Sequence, residues 1–239
     1  MDGVDGEPRV TEADYEKPDT SVDCVLFTLA PEGLRVLLLP RDRAPHEGRA
    51  TLVGGYVRPK EDGTLDDTVR RVLRDKAGVE GVYLEQLGTF GGADRDERGW
   101  SISIAYFAVL PDALVAASEA RAGLSFQAVP IDQLPDLPFD HARIVAAAVE
   151  RLRAKVAYST LPGFMLEPTF TFAEYKAVFE KVLGRSVDQS SLRKKLMDAD
   201  VLEEVGKESL PTGRGVRANR PGRLYRLRKP EPVLFDRNL

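Results

Sequence analysis

The stretch GGYVRPKEDGTLDDTVRRVLRDKAGV, residues 54–79, carries the strongest structural signal in the sequence. Thr64 stands where a helix N-cap is expected, two aspartates follow in the first turn, and Gly78 supplies a C-terminal stop. Between these signals, apolar residues recur at the spacing of one helical face, at Leu65, Val69, Val72, Leu73 and Ala77. The pattern predicts a helix over 65–77, preceded by a short apolar run that Gly54-Gly55 interrupts.

Strand-like runs surround this helix. They are β-branched, leucine-rich or aromatic, and they lie at 22–30, 34–39, 83–90 and 100–110. A later amphipathic run over 140–158, with Asp140 in the cap position, predicts a second long helix. Strands grouped around one helix and closed by another indicate an α/β sandwich, in which a mixed sheet lies between helices.

The last third of the chain has a different pattern. Two amphipathic helices are predicted in tandem, over 171–183 and 188–199, the second one capped by Asp188. Short strands over 201–205 and 224–227 then frame an arm rich in Gly, Pro and Arg. Helix, turn, helix and a two-stranded wing make up a winged helix-turn-helix, in which Leu192, Leu196 and Met197 are expected to face inward.

The charge of the chain is unevenly distributed. Over all 239 residues, 34 Lys and Arg stand against 38 Asp and Glu, a net charge of −4 that argues against a nucleic-acid binder. Residues 1–150, however, hold 16 basic and 27 acidic residues, a net charge of −11, whereas residues 151–228 hold 16 basic and 9 acidic, a net charge of +7. Such asymmetry is typical of a basic nucleic-acid-binding module joined to another domain, although a solvated face of mixed charge would also produce it.

Five segments follow from these patterns. We expect a flexible tail over 1–19, a first domain over 20–158, a linker over 159–168, a winged helix domain over 169–228 and a C-terminal tail over 229–239. The N-terminus lacks an apolar targeting segment and no run is long enough to cross a bilayer, so we expect a cytoplasmic protein with no membrane partner. The single cysteine, Cys24, is expected to be a buried structural thiol.

The residues from Gly54 to Val79 resemble a Nudix box, whose pattern runs from Gly through Glu to Arg-Glu-apolar-x-Glu-Glu-x-Gly-apolar. Nudix hydrolases use clustered carboxylates of this box to hold divalent metal ions. Aligned on Arg71 and Gly78, the three acidic positions fall on Val72, Asp75 and Lys76, so one carboxylate remains and one position is cationic. Because Mg²⁺ needs several oxygen ligands, this departure from the box argues against a magnesium site, and we expect no metal and no required cofactor.

Resemblance to Nudix domains that bind ADP-ribose implies a cleft for that or a related nucleotide. The glycine pair permits close approach of a ligand to the backbone, guanidinium groups suit bidentate phosphate contacts, and Lys76 could contact a diphosphate directly. The candidate ligand-binding residues are Arg41, Arg43, Gly54, Gly55, Glu61, Arg71, Asp75, Lys76, Arg95 and Arg98. For any single arginine, a solvated loop position is an equally good interpretation.

The second predicted helix of the winged unit has a polar face suited to the major groove. Gln pairs with adenine and Arg with guanine, while Ser, Lys and arginines on an extended arm suit phosphate or minor-groove contacts. The candidate DNA-binding residues are Gln189, Ser190, Ser191, Arg193, Lys194, Lys195, Arg214, Arg217, Arg220 and Arg223. An ordinary basic solvent face remains the alternative for the helix.

An acidic Nudix-like domain followed by a winged helix ending in RPGRLYRL is similar to the NrtR family, the Nudix-related transcriptional regulators of NAD metabolism. The resemblance spans about residues 20–228 and implies a homodimeric repressor without catalytic residues. Such a repressor would sense ADP-ribose or a related nucleotide and bind a palindromic double-stranded operator.

The sequence is also compatible with two other functions. An active Nudix hydrolase of ADP-ribose or another nucleoside diphosphate derivative would need its metal site from Glu61, Asp66, Asp67 and Asp75. An RNA-binding or protein-docking adaptor is less favoured, because the chain lacks aromatic motifs for stacking bases. His46 and His141 lack the neighbours of a zinc site, and His141 is expected to be structural.

Overall fold

The first part of the chain builds one mixed sheet between helices. The computed structural model describes residues 17–207 and 222–235. The strands of this sheet are β1 (Asp19–Ala30), β2 (Gly33–Pro40), β3 (Ala50–Thr51), β4 (Val53–Tyr56), β5 (Leu84–Gly92), β6 (Ser101–Val109) and β7 (Gln127–Pro130). Its helices are α1 (Leu65–Ala77), α2 (Asp112–Ala122) and α3 (His141–Val156). The predicted α/β sandwich is confirmed.

β1 runs through the middle of the sheet, parallel to β6 and antiparallel to β2 and β4. Its alternate residues Val22, Cys24 and Leu26 pack with α1 in one apolar cluster. Val25 and Phe27, on the opposite face, pack with α3 in the other. Because both faces are covered, β1 reads as a nearly continuous apolar run, and Asp23 is an exception within it.

α1 begins and ends at the predicted residues. Thr64 Oγ1 accepts a hydrogen bond from the backbone N–H of Asp67 at 3.1 Å, and Gly78 closes the helix with φ +64°. The apolar stripe of this helix is buried against β1 and β4, with Val69 and Val72 almost fully inaccessible. The helix is therefore fixed against the sheet, and the side chains of its last turn have a set direction.

Two elements of this domain were not predicted from the sequence, α2 and β7. The sequence of α2, DALVAASEARA, is rich in alanine, which favours a helix without producing an apolar stripe. The prediction that Asp140 caps α3 is wrong. Asp140 precedes the helix, but its side chain makes no cap hydrogen bond and lies instead beside arginine side chains.

A three-stranded sheet and two helices form the second unit. Its elements are β8 (Phe170–Thr171), α4 (Phe172–Leu183), α5 (Gln189–Asp198), β9 (Leu202–Lys207) and β10 (Arg223–Leu227), with β10 between β8 and β9. Both helix caps are formed, by a capping box of Thr171 with Glu174 and by Asp188 accepting from the N–H of Ser191 at 2.8 Å. The predicted winged helix is confirmed, but Met197 is 41% exposed, so its predicted inward orientation is wrong.

The segment expected to be a linker is packed rather than exposed. Leu161–Met165 form a short 3-10 turn whose side chains are buried, and one apolar cluster runs from Phe27 in the sheet to Phe179 in α4. Residues 233–235 of the expected C-terminal tail also dock here, since the N–H of Phe235 donates to the Tyr158 carbonyl at 2.7 Å. The two units therefore share a core instead of hanging from a flexible tether.

No helix in the described ranges is long and apolar enough to cross a membrane. The expected flexible tail lies, up to residue 16, outside the described residues, as do residues 236–239. Cys24 is buried as expected, and burial raises the pKa of its thiol far above the usual range.

Candidate functional site

A cavity of about 330 Å³ opens at one end of the sheet, beside the end of α1. Residues of β1 and β4 form its floor, and its walls come from the loop after β2, the last turn of α1, the hairpin loop after β5 and the residues around the start of α3. Cationic, acidic and aromatic side chains all line it, among them Arg41, Arg43, Lys76, Arg98, Asp23, Asp42, Asp75, Asp96, Tyr56 and Phe139. The size and mixed polarity of this cavity are those of a small-molecule site.

Eight of the ten candidate ligand-binding residues line this cavity, although they are spread from Arg41 to Arg98 along the chain. The other two, Glu61 and Arg71, are not among its lining residues. Glu61 forms an exposed pair with Arg58 at 2.9 Å. Arg71 donates through Nε and a terminal nitrogen to the carboxylate of Asp62, at 2.6 and 2.8 Å, so it fastens the loop after β4 to α1.

Asp23 is the buried centre of the cavity floor. Its Oδ2 accepts hydrogen bonds from Arg95 at 2.7 Å and from the Ser103 hydroxyl at 2.6 Å. Arg95, with only 7% of its side chain exposed, also places Nε 3.0 Å from the carboxylate of Asp140. Arg95, a candidate ligand contact, lines the cavity, and its ion pairs with these two carboxylates also make it a support of the cavity wall. Sequence reasoning missed Asp23, although a carboxylate inside a buried strand is itself a signal of a polar site.

His141 lies behind the floor and is 4% exposed. The Leu52 N–H donates to its Nδ1 at 3.4 Å, and the Thr51 hydroxyl lies 3.0 Å from the same nitrogen. Because an amide can only donate, the proton of the neutral ring is assigned to Nε2, which lies 3.6 Å from Asp23. Burial lowers the pKa of His141, and the nearby Asp23 carboxylate offsets this only in part.

Because the pKa of His141 is lowered, we predict that the protein loses stability with falling pH at pH values above those at which carboxylates titrate. In the unfolded chain this ring takes up a proton near pH 6.5, whereas the buried ring resists it, so unfolding gains protons as the pH falls. The free energy of unfolding should therefore decrease from about pH 7.5 to pH 5.5, with a slope of at most about 1.4 kcal/mol per pH unit from this group. Urea unfolding followed by circular dichroism at several pH values measures it.

The matched variants for this test are His141→Asn and His46→Asn, since the chain has two histidines. The first should flatten the slope between about pH 5.5 and pH 7.5, because an amide does not titrate, and the second provides the comparison with a histidine replaced elsewhere in the chain. An unchanged slope in His141→Asn would contradict the assignment.

On one wall of the cavity, called the outer wall here, the guanidinium groups of Arg41 and Arg98 lie near the rings of Phe139 and Tyr56. The Arg41 guanidinium lies 4.9 Å from the Phe139 ring centroid, and Arg98 lies 5.8 Å from the same ring and 5.9 Å from that of Tyr56. Phe139 has φ +57°, an uncommon backbone conformation for a side chain of this size, which aims its ring at this wall. Phe139 and Tyr56 were not predicted from the sequence, and no motif marks them.

Arg98 is anchored to the cavity by Asp96. Its Nε and a terminal nitrogen donate to the two carboxylate oxygens of Asp96, at 2.9 and 2.5 Å. This hydrogen bonding lowers the pKa of Asp96 and raises that of Arg98. About 38% of the Arg98 side chain remains exposed, so part of its guanidinium faces the cavity mouth.

Lys76 reaches the glycine pair on the floor. Its ammonium donates to the Gly54 carbonyl at 2.8 Å, and burial lowers its pKa. The two glycines leave no spare room beneath: a Cβ on Gly54 would lie 2.0 Å from Asp23 Oδ1, and one on Gly55 would lie 2.9 Å from Val72 Cγ2. The backbone of β4 therefore packs as closely against Asp23 and Val72 as the fold allows, and the cavity beside it is left for a ligand.

The three Nudix-box positions that hold acids in hydrolases point in different directions here. Val72 is buried in the core, and Asp75 forms an exposed pair with Arg74 at 3.1 Å. The third position, Lys76, brings a positive charge into the cavity. Across the described residues, no three His, Cys, Asp or Glu side chains are grouped as a metal site would require. This donor set does not fit a divalent cation.

The second surface of interest is the exposed face of α5. Leu192 and Leu196 are buried, while Gln189, Ser190, Ser191, Arg193 and Lys194 are exposed and Lys195 is half-buried. The ring of Phe172 lies 5.3 Å from the Arg193 guanidinium, which holds that side chain beside the helix without neutralising it. Lys194 forms an exposed pair with Asp198 at 2.7 Å. The N-terminal half of the helix thus presents amide, hydroxyl and cationic groups together.

Arginines of β10, the second strand of the wing, pair with glutamates of the neighbouring strand β9. Arg223 contacts Glu204 at 2.7 Å, and Arg226 contacts Glu203 through two nitrogens at 2.9 and 3.1 Å. Arg223 was a candidate DNA contact, and in this state its charge is shared with an exposed carboxylate. Arg214, Arg217 and Arg220 lie outside the described residues.

Known proteins are similar to both units of this chain. Residues 162–227 match a family model described as the NrtR DNA-binding winged helix domain. Over 217 residues, covering 90% of this chain and 84% of the relative, the chain is 30% identical to a protein of Acinetobacter baylyi named ADPR responsive transcriptional repressor NtrR. The chain belongs to the NrtR family.

Solved structures of a family member extend this result. Shewanella oneidensis NrtR is 36% identical and superimposes with a TM-score of 0.80, over 92% of this chain and 99% of that one. The same protein complexed with a 27mer DNA gives a TM-score of 0.78 at the same identity and coverage. Its Nudix domain complexed with ADP-ribose gives 0.50, at 33% identity over 60% of this chain and 94% of that one. The Nudix and winged helix units expected from the sequence are thereby confirmed.

A relative of the first unit is an enzyme. An ADP-ribose pyrophosphatase of Methanocaldococcus jannaschii is 30% identical over 132 residues, which cover 55% of this chain and 73% of the relative. The Nudix unit is thus similar both to part of a repressor and to a hydrolase. The residues at the Nudix-box positions are the ones that bear on which of these two functions it has.

Proposed function

We propose that this NrtR-family chain is a transcriptional repressor of NAD metabolism genes whose binding to double-stranded DNA is controlled by ADP-ribose or a related nucleotide. Residues 20–158 bind the effector and residues 169–228 bind the operator. The observation that supports this most strongly is the joining of two features in one chain: a cavity that holds Lys76 and Arg41 and, among the described residues, no acid cluster for a metal, and a helix with an exposed polar and basic face. The DNA and ADP-ribose complexes of the Shewanella relative support the same pair of ligands.

The chemistry of the cavity fits a nucleoside diphosphate sugar. The diphosphate carries two negative charges, which Lys76 and Arg41 can meet because their hydrogen bonds go to neutral backbone carbonyls. Adenine can stack on the rings and guanidinium groups of the outer wall, where Tyr56, Phe139 and Arg98 lie. Ribose hydroxyls can donate to the exposed carboxylates of Asp42 and Asp75.

Selection of duplex DNA tests the function as a whole. The full-length chain would be used to enrich random-sequence duplexes, and the enriched pool would be titrated by fluorescence anisotropy with and without ADP-ribose. We expect a specific sequence to emerge and its affinity to change when ADP-ribose is added, because a ligand with different affinities for two states shifts their balance. Absence of any duplex binding at low salt would contradict the proposal.

Single substitutions on α5 should separate base reading from phosphate contact. Gln189→Ala should weaken binding to the selected duplex by about 1–3 kcal/mol with little effect on random DNA, because a bidentate base contact discriminates between sequences. Lys194→Ala should weaken both and reduce the salt dependence of log K by about one unit, because one phosphate contact is lost. Salt-dependent anisotropy titrations measure both effects.

The control for these substitutions is Lys60→Ala, which removes an exposed cation from the Nudix unit. It should leave both affinity and salt slope unchanged. Equal losses on selected and random DNA in Gln189→Ala would contradict its place as a base reader.

The proposed assembly is a homodimer on a palindromic operator. One α5 reads one half-site, and a two-fold symmetric pair would place two such helices at a fixed helical phase. The enriched sequences should then contain an inverted repeat, and analytical ultracentrifugation should give two chains per duplex. A single unrepeated site bound by one chain would contradict the dimer.

The proposed repressor is not a hydrolase. Val72 and Lys76 occupy two of the three acidic positions of the box, so Glu61, Asp66, Asp67 and Asp75 would have to supply a metal site. Asp66 instead accepts a hydrogen bond from the Tyr106 hydroxyl at 3.0 Å, and Asp67 accepts one from Thr64 at 2.8 Å, in the first turn of α1. Sustained release of AMP from ADP-ribose with Mg²⁺ or Mn²⁺ would favour the hydrolase, which the pyrophosphatase relative makes the second candidate.

A further inference from the structure

We propose that the Lys76 ammonium takes the part that a divalent cation plays in Nudix hydrolases, so that the chain binds the diphosphate of its effector directly and without metal. This inference rests on the proposed function, since it concerns how the same cavity holds ADP-ribose. It names Lys76 as the residue that allows this cavity to bind the nucleotide without hydrolysing it.

The Lys76 ammonium group lies where a metal ion would find a backbone ligand. Lys76 extends from the last turn of α1 onto the floor of the cavity, where it donates to the Gly54 carbonyl at 2.8 Å. A backbone carbonyl oxygen is also a ligand that a hard cation would use, so the ammonium occupies an oxygen that a metal would need. Its placement is fixed by the packing of α1, because Val72 and Leu73 of the same turn are buried.

The carboxylates of the cavity are already paired with cations of the protein. Asp23 accepts from Arg95 and Ser103, Asp96 accepts from Arg98, and Asp42 contacts Arg43 at 3.3 Å. A metal ion would have to displace an arginine from one of these pairs, and at Asp23 that arginine is Arg95, which is buried and would lose its partner.

Two cations of the cavity keep their charge available to a ligand. Lys76 and Arg41 form no ion pair with any carboxylate of the described ranges, and both line the cavity. Their repulsion opposes a bound divalent cation, and the same charges attract a diphosphate. An ammonium group supplies positive charge and donors to phosphate oxygens, but it offers no site for activating water, so binding and hydrolysis are separated.

Calorimetric titration of the full-length chain with ADP-ribose, in EDTA and in Mg²⁺, tests the inference. We expect the wild-type affinity to agree within about twofold between the two buffers, since no metal takes part. Lys76→Met should lower it about 10- to 100-fold in both buffers, the factor that corresponds to one charge-assisted hydrogen bond. Lys76→Arg should retain most of the affinity, because the charge is kept.

Lys76→Glu gives a sharper result, because it places a second carboxylate beside Asp75. ADP-ribose binding by this variant should be weak in EDTA and should recover in part when Mg²⁺ or Mn²⁺ is added. Electron paramagnetic resonance of Mn²⁺ should detect protein-bound metal in this variant with ADP-ribose and none in the wild type, relative to a sample of Mn²⁺ and ADP-ribose alone. Lys60→Met is the matched control and should behave as wild type in every buffer.

The outcomes separate this inference from the proposed function. Wild-type binding that requires Mg²⁺, or unchanged affinity in a Lys76→Met variant with a native circular dichroism spectrum, overturns the role of Lys76 and leaves the effector proposal intact. Failure of the wild type to bind ADP-ribose in either buffer overturns the effector proposal and this inference with it.

Discussion

Replacing Arg95 by alanine should lower the free energy of unfolding by about 3–5 kcal/mol. The side chain is 7% exposed, and its guanidinium lies 2.7 Å from Asp23 and 3.0 Å from Asp140. Removing it leaves two carboxylates in a site from which water is largely excluded, and neither has another cation as close. Because Asp23 also forms the cavity floor, ADP-ribose binding should weaken in the same variant.

Urea unfolding at neutral pH measures this loss, with Arg58→Ala as the control. Arg58 pairs with Glu61, but both side chains are more than half exposed, so that substitution should cost less than about 1 kcal/mol. Combining Arg95→Ala with Asp23→Asn should cost less than the sum of the two single changes, because the second removes the charge that the first leaves unpaired. A loss below about 1 kcal/mol in Arg95→Ala would show that the pair is not a support of the fold.

Replacing Gly54 by alanine should cost about 3 kcal/mol, at the upper end of the range for overpacking, and should abolish measurable effector binding. The added Cβ would lie 2.0 Å from Asp23 Oδ1 and 3.0 Å from the Val22 carbonyl. Neither atom can move freely, since Asp23 is held by Arg95 and Ser103, and β4 pairs with β1 at this residue. The strand must therefore shift into the cavity or away from β1.

Gly88→Ala is the matched control for this prediction. Gly88 lies in β5, and a Cβ there would meet no atom within 4 Å, so its substitution should change stability by less than about 1 kcal/mol. Thermal unfolding and ADP-ribose calorimetry on both variants provide the comparison. Wild-type stability and affinity in Gly54→Ala would contradict the close approach of the two strands.

Much of the fold follows from local patterns. The apolar spacing of Leu65 to Ala77, with its cap and stop residues, determines α1, and the stripe of Phe172 to Val182 determines α4. α2 and β8 escaped prediction for physical reasons. An alanine-rich helix has no apolar face to detect, and a strand of two residues, Phe170–Thr171, exists only because β10 pairs with it.

The candidate site was predictable in part. Guanidinium groups, the glycine pair and Lys76 are recognisable by residue type and by the Nudix-box spacing, and eight of these predicted residues line one cavity. Arg71, although it belongs to the box, is held by Asp62, whose pKa is lowered well below its usual range by hydrogen bonding to Arg71. Which arginines remain available to a ligand depends on partners that are distant in sequence, such as Asp23 for Arg95 across 72 positions.

The sequence by itself determined the two units, their order, the residues at the Nudix-box positions and the separation of negative and positive charge, because propensity, periodicity and charge are properties of neighbouring residues. Only the tertiary structure decided how those charges are used. It buries the expected linker in a core shared by the two units, pairs Arg95 with the buried carboxylate of Asp23, and brings Lys76 onto the Gly54 carbonyl. These outcomes depend on long-range packing, which determines the environment and partners of each charge once the chain has folded.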